Sequence, residues 1–401
     1  MILDATHGGQ VLTRRFIGRG DDVTLADVYR IAPKELVDEM TGIGAKVVTG
    51  APEGDFDLVT MPCHCPDTFL ENCTYRERVW FSQCVNMFME DRRKRIEVTG
   101  VKGKTSTCYI LAHILDACGY TVYLSTSRGA GPFVGGRHDI RRLVSIAPPY
   151  LLELPAGDYD YMINEISLGG SGKADVACIT NILDDYGIAK NSRRAHEAKK
   201  DILTTRGVNL APSGDVNVWK PYGKEITPFA VSVGIVGEPV FGKGLEISLD
   251  YDGPTSVTLD PGYLSVEYLT AIEAACSIAH ALRIPRDDVV GALKTFKGVP
   301  GRGEISEKNG VKTVFERNPG ISHTSVRWTL SCLERMNALD RAVLIIDPVS
   351  KKVCDKLDRD LIEKVAEEFG VPLIVTNGDG TEPEVSPEYR TVIRMIKEGY
   401  Q

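Results

Sequence analysis

Short apolar runs alternate along the chain with stretches in which apolar residues recur every three or four positions, the periods of strands and helices respectively. Over residues 1–93 the runs Met1–Ala5, Val23–Val28, Lys46–Thr49 and Phe56–Met61 predict strands, and Gly9–Gly18 and Pro33–Thr41 predict helices. Val11, Leu12, Phe16 and Ile17 share one face of the first helix. Pro33 falls in the first turn of the second, where its missing N–H costs nothing. Tyr75–Arg93 reads as one long helix, with Val79, Trp80, Cys84, Phe88 and Met89 along a face.

Residues 94–301 begin after the basic run Arg92-Arg93-Lys94-Arg95. Strands are expected from Ile96 to Thr99 and at Tyr161–Ile166 and Val176–Ile182, with a helix at Tyr268–Leu282. The stretch 205–265 is rich in Gly, Pro and β-formers and reads as antiparallel or as an insert. Residues 302–401 alternate again: strands at Val311–Phe315, Ala342–Ile346 and Val371–Thr376, helices at Ser322–Met336 and Leu357–Phe369. Strand–helix alternation implies parallel sheets. The expected fold class is α/β in three domains: 1–93, Rossmann-like; 94–301, central; 302–401, Rossmann-like again.

Composition narrows the function. The 401 residues are 43% apolar and 25% charged, enough for large cores and contrary to disorder. Lys and Arg number 47 against 55 Asp and Glu, a net charge of −8 that lacks the basic footprint of a nucleic-acid binder. No apolar run approaches the roughly 18 residues of a membrane span. Met1-Ile2-Leu3-Asp4 has no basic region leading into an apolar one, and ten cysteines in so long a chain do not form a secreted disulfide framework. A cytoplasmic protein with neither a nucleic-acid nor a membrane partner is expected; its oligomeric state stays open.

Ile96-Glu97-Val98-Thr99-Gly100-Val101-Lys102-Gly103-Lys104-Thr105-Ser106-Thr107 carries the strongest chemistry. An apolar strand enters a glycine loop ending in Gly-Lys-Thr. An amphipathic helix follows, with Cys108, Ile110, Leu111, Ile114, Leu115 and Cys118 inward. That context defines a P-loop: backbone N–H groups and the helix N-terminus face phosphates, Lys104 reaches the β- and γ-phosphates, and the Thr105 hydroxyl ligates Mg²⁺. The usual spacing wants Gly at position 98, which is Val98; Gly100 makes a tighter loop.

Thr99–Thr105 resembles the ATP loop of the Mur ligases, a family that includes the folylpolyglutamate synthetases. Asn164-Glu165-Ile166-Ser167 is similar to the family's strand-end glutamate, and Thr180-Asn181-Ile182-Leu183-Asp184-Asp185-Tyr186 to its Thr-Asn…Asp-His block. Ala198-Lys199 resembles the Ala-Lys whose amine is carbamylated in many members, with Lys200 one register away. The hinge Pro300-Gly301-Arg302 matches as well. The resemblance implies a three-domain Mur-ligase-like fold with a central P-loop ATPase domain, ATP and Mg²⁺ as cofactors, and activation of a carboxylate as an acyl phosphate. It implies Lys104, Glu165 and Lys199 as catalytic residues and Thr105, Glu165 and Asp185 as metal ligands. Gly100, Val101, Lys102, Gly103, Lys104, Thr105, Ser106, Arg302, Glu316 and Asp347 would face the nucleotide. The chain departs from the pattern at Tyr186, where the family has a metal-binding His, so Asp184 or Asp185 is left to supply that oxygen.

The N-terminal segment is more individual. Asp4-Ala5-Thr6-His7-Gly8-Gly9 is a strand end and tight turn without the dinucleotide glycine pattern, although Asp27 follows at the expected distance. Cys63-His64-Cys65 with Cys73 is either a metal site or a set of packed thiols. The opening turn, Asp27-Val28-Tyr29, Glu165–Gly170 with Asp185-Tyr186, and Glu316-Arg317-Asn318-Pro319-Gly320 together resemble one branch of the family. Members of that branch close a carbocyclic ring on a nickel seco-tetrapyrrole acid. The resemblance implies that Thr6, His7, Gly8, Gly9 and His64 bind that substrate. An amide-bond-forming ligase and a P-loop protein that binds ATP without ligating anything remain alternatives.

Overall fold

The computed structural model describes residues 1–183, 185–318, 320–348, 357–377 and 383–397. They form two compact units: residues 1–108 with 119–229, and residues 109–118 with 230–401.

The first unit contains two large sheets and a small hairpin. One has five parallel strands in the spatial order Lys46–Thr49, Thr24–Asp27, Ile2–Leu3, Gly54–Met61 and Cys73–Trp80. The order in which successive strands are added reverses between Ile2–Leu3 and Gly54–Met61, the switch point at which α/β sheets open a crevice for ligands. Ile2, Leu25, Val11, Leu12, Phe16, Met40, Phe81, Cys84 and Val85 are buried together on one face.

The expected helix over Tyr75–Arg93 is instead the strand Cys73–Trp80 followed by the helix Phe81–Phe88. Cys73 to Trp80 pairs in parallel with Gly54 to Met61 along its length, so sheet hydrogen bonds outweigh the helical spacing of Val79 and Trp80. The strand lies at the sheet edge, where Thr74, Arg76, Glu77 and Arg78 stay exposed. The Gln83 side chain accepts from the Trp80 N–H at 2.7 Å and starts the helix there.

The second sheet has eight strands, in the order Thr227–Pro228, Val208–Ala211, Val176–Ile179, Arg95–Thr99, Tyr161–Glu165, Val122–Thr126, Gly129–Val134 and Arg137–His138. The first six are parallel, and the last two add antiparallel at one edge. The central strand Arg95–Thr99 is wholly buried and carries a buried ion pair, Arg95 Nε to Glu97 Oε1 at 2.9 Å. Glu97 also accepts from the Ser171 N–H at 2.8 Å, which ties the loop after Glu165 to the sheet.

The second unit holds a three-stranded antiparallel sheet, Ser232–Ile235, Glu246–Asp250 and Pro254–Thr258, with the helix Leu269–Ala281. Its other sheet is ordered Glu304–Lys308, Val311–Arg317, Thr391–Ile396, Ala342–Asp347, Leu373–Val375, antiparallel only at the first pair. The strand Thr391–Ile396 lies between two strands expected from the sequence, yet was not itself expected. Arg394 interrupts its apolar run, and Arg390 and Lys397 flank it. Among the described residues no helix is long and apolar enough to cross a membrane.

Candidate active site

The strand Arg95–Thr99 leads directly into the glycine loop, and the helix Lys104–Ala117 leaves it. Gly100 has φ +140°, and a Cβ there would stand 2.0 Å from Thr180 Oγ1 and 3.0 Å from Thr180 N. Glycine is therefore demanded by backbone angle and by space. Thr180 and Asn181, immediately beyond the neighbouring strand Val176–Ile179, brace the loop. The Val101 N–H donates to Asn181 O at 3.1 Å, the Lys102 N–H to Asn181 Oδ1 at 3.2 Å, and Lys102 O accepts from Thr180 Oγ1 at 2.6 Å and Asn181 Nδ2 at 3.0 Å. The resemblance marked this pair as part of a block; its bracing role needed the fold. Lys104 Nζ donates to the carbonyls of Gly100 and Val101 at 3.2 and 3.4 Å, which holds the ammonium over the loop. Gly103, Thr105 and Ser106 continue into the helix start.

Glu165 ends the adjacent strand Tyr161–Glu165 and is buried. Its Oε2 accepts from the Thr105 hydroxyl at 2.9 Å and from the Ser127 N–H at 3.0 Å. Two buried hard oxygens, a hydroxyl and a carboxylate, thus stand side by side at the foot of the loop, the donor chemistry that suits Mg²⁺.

Lys199 is 1% exposed. Its Nζ donates to Ser167 O at 2.7 Å and reaches Thr99 Oγ1 at 3.5 Å, beside the strand that feeds the loop. Burial, then the charge of Lys104, push its amine well below the usual lysine range. Lys200 instead lies over the Tyr222 ring, 5.3 Å from its centroid.

Asp185 sits beside the small hairpin Gly187–Ile188 and Arg193–Arg194. It accepts from the His196 N–H at 2.9 Å and pairs with His196 Nδ1 at 2.8 Å. Burial acts to raise this carboxyl, but the bonds from His196 and Arg194 outweigh it and hold it below the usual range. His196 escaped the sequence reading. Its proximity to Ala198-Lys199 was the one available signal, and its partner lies eleven residues away across the hairpin. Asp184 lies outside the described residues.

The opening turn occupies the switch point of the first sheet. Asp4 follows Ile2–Leu3, and His64 follows the adjacent strand Gly54–Met61. Asp4 is buried, with φ +73°. Its Oδ1 accepts from the N–H groups of Thr6 and His7 at 3.0 and 3.2 Å and from the Thr6 hydroxyl at 3.2 Å. Its Oδ2 lies 2.6 Å from His7 Nδ1 and 3.7 Å from His64 Nε2. Burial acts to raise the Asp4 carboxyl; the nearby His64 and the bonds from His7 and Thr6 prevail and hold it far below the usual range, while Asp4 raises His7. Gly8 has φ +107°, and a Cβ on Gly9 would stand 2.1 Å from Asp4 O, so the turn closes only with glycines. Cys63 and Cys65 are buried, their thiols pushed up to about 12 mainly by burial. Asp27 accepts from the N–H groups of Ile31 and Ala32 at 3.2 and 2.9 Å, a turn-forming role.

Arg302, Glu316 and Asp347 belong to the second unit. The Arg302 carbonyl accepts from the Tyr268 hydroxyl at 2.7 Å. Glu316 accepts from Asn318 Nδ2 at 3.1 Å and is raised above the usual range by burial and by Glu267, against Arg302. Asp347 ends the strand Ala342–Asp347, buried, at a carboxyl edge. Pro319 lies outside the described residues.

The sheets have known counterparts. The chain superposes on MurF ligase from Thermotoga maritima in complex with ADP, with a TM-score of 0.56 and 15% identity, over 96% of this chain and 94% of that one. This establishes the three-domain Mur-ligase-like α/β fold. No protein-family profile matches the chain. Along its full length it is similar to coenzyme F(430) synthetase of Methanosarcina acetivorans, 29% identical over 100% of this chain and 94% of that protein. It is also similar to coenzyme F(430) synthetase of Methanocaldococcus jannaschii, 24% identical over 95% and 91%. The chain thus has the fold of the Mur ligases and, along nearly its whole length, resembles these two synthetases.

Proposed function

We propose that the chain closes a carbocyclic ring on a nickel seco-tetrapyrrole acid to give coenzyme F(430). The similarity to two proteins of that name over nearly the whole chain carries this reading. Transfer of the ATP γ-phosphate to a propionate carboxylate gives an acyl phosphate and ADP. A substrate carbon then attacks the acyl carbon, phosphate leaves, the carbon gives up a proton, and the net loss is one water.

The chain's own groups suit the first step. Loop N–H groups and Lys104 bind the β- and γ-phosphates, and preorganised positive charge is the dominant aid in phosphoryl transfer. Thr105 and Glu165 would hold Mg²⁺, which when bound neutralises charge on the transferring phosphate. Burial pushes the Lys199 amine well below the usual lysine range, which favours the nucleophilic form that carbamylation needs. Thr6, His7, Gly8, Gly9 and His64, at the switch point, would face the macrocycle, and Asp185 with His196 offers a further oxygen and nitrogen near Lys199.

The test is ADP release by purified protein with ATP and Mg²⁺, with and without the nickel seco-tetrapyrrole acid, while the visible spectrum is followed. ADP coupled to a spectral shift and a product lighter by one water is expected. Silence with the tetrapyrrole, but turnover with an acid plus an amino acid, overturns the ring closure in favour of an amide-forming ligase.

A further inference from the structure

Phosphoryl transfer makes no use of the cluster Asp4, His7 and His64. One ligand atom from each lies within 4.8 Å of the other two. The imidazoles stand edge to face at 82°, centroids 5.3 Å apart. The Asp4 side chain is 1% exposed, whereas those of His7 and His64 are 40% and 34% exposed, so the carboxylate sits beneath and the rings reach the crevice. An ionised carboxylate only accepts, so His7 Nδ1 carries the proton toward Asp4 and Nε2 keeps its lone pair. That is the arrangement by which a carboxylate fixes a metal-binding histidine. Asp4 is held at a positive φ that non-glycine residues rarely adopt, strain of the kind that collects at functional sites. The buried thiols of Cys63 and Cys65 belong to apolar clusters instead.

We propose that His7 and His64 bind a first-row transition-metal centre at the switch point, with Asp4 as the buried carboxylate that orients His7 and lies beneath His64. Imidazole selects such metals over Mg²⁺ and Ca²⁺, which prefer oxygen. The centre reaches the site as a free divalent ion or inside a macrocyclic substrate; the second source rests on the ring-closing reading above.

Two titrations without ATP separate the sources: Co²⁺, read by its visible d–d absorption, and the nickel seco-tetrapyrrole acid, read by its own visible spectrum. Each is run on the wild type, His7→Ala, His64→Ala and the double variant, with circular dichroism to confirm folding. His7→Gln and His64→Gln serve if an alanine variant fails to fold. The expected result is a saturable response that either single variant weakens by at least about 10- to 100-fold, since loss of a ligand should cost no less than loss of a group that merely supports one. A response to Co²⁺ assigns a free ion, and a response to the tetrapyrrole alone assigns a substrate-borne metal. No response in the wild type to either probe, or one unchanged in the double variant, overturns the site. ADP release on the same samples keeps the two readings apart. Tetrapyrrole-dependent ADP without a histidine-dependent spectrum sinks the metal site alone. Histidine-dependent Co²⁺ binding without that ADP sinks the ring-closing reading alone.

Discussion

Gly100→Ala tests whether the loop is held by the contact with Thr180. At φ +140° an alanine carries backbone strain of about 1–3 kcal/mol. Its Cβ would lie 2.0 Å from Thr180 Oγ1, so that side chain must turn away. It then gives up its bond to Lys102 O, worth about 1 kcal/mol net, leaving Asn181 Nδ2 as the donor to that carbonyl. The sum is about 2–4 kcal/mol, which at 1.36 kcal/mol per decade predicts a fall in kcat/KM for MgATP of about 30- to 1000-fold. Initial rates of ADP release against MgATP measure it, and thermal unfolding reports how much is global instability. Thr180→Ala removes the clashing atom, so in the double variant the two losses should fall short of additivity by about 1 kcal/mol or more. A Gly100→Ala enzyme within about threefold of wild type, or strictly additive losses, would refute the argument.

Three further outcomes follow from the same geometry. Glu165→Gln keeps an oxygen for the Thr105 and Ser127 donors but loses the charge, so the Mg²⁺ concentration for half-maximal ADP release should rise at least about 10-fold; an unchanged Mg²⁺ curve contradicts the ligand role. Lys199→Ala should abolish turnover and be partly restored by short carboxylic acids, while Lys200→Ala keeps near-normal rates; equal losses in both would count against a carbamate at position 199. The His7 ring, followed by NMR, should titrate above the ordinary value of about 6.5 and drop in Asp4→Asn, where burial alone remains. Because its folded value is raised, its contribution to stability is full below about 6.5 and fades as pH rises through the folded value. A His7 that titrates at or below the ordinary value in the wild type removes the basis for that statement.

What the sequence could not reveal was governed by distance along the chain. Gly-Lys-Thr after an apolar strand is a local pattern, and its strand and helix are where the residues demand them. Lys199 and Lys200 are indistinguishable as letters; only packing shows one amine buried against Ser167 and the other over Tyr222. Asp4 and His64 stand sixty positions apart, and no local pattern pairs them. Tyr75–Trp80 has helical spacing that a parallel partner strand overrides, and Thr391–Ile396 hides a central strand behind flanking and internal basic residues. In each case the deciding partner is remote, and a remote hydrogen-bond ladder outweighs weak local preference.

A single rule of sheet geometry accounts for where the candidate groups lie. Parallel strands end on the same side, so residues just beyond adjacent carboxyl ends converge whatever their separation in sequence. Three neighbouring strands of the larger sheet end at Thr99, Glu165 and Ile179, and they deliver the loop, the carboxylate and the Thr180-Asn181 brace to one place. Two neighbouring strands of the smaller sheet end at Leu3 and Met61 and deliver Asp4 with His7 on one side and His64 on the other. The two constellations differ in donor chemistry. The first gathers backbone N–H groups, ammonium and hard oxygen, which answer to phosphate and Mg²⁺. The second gathers imidazole over a buried carboxylate, which answers to softer metals.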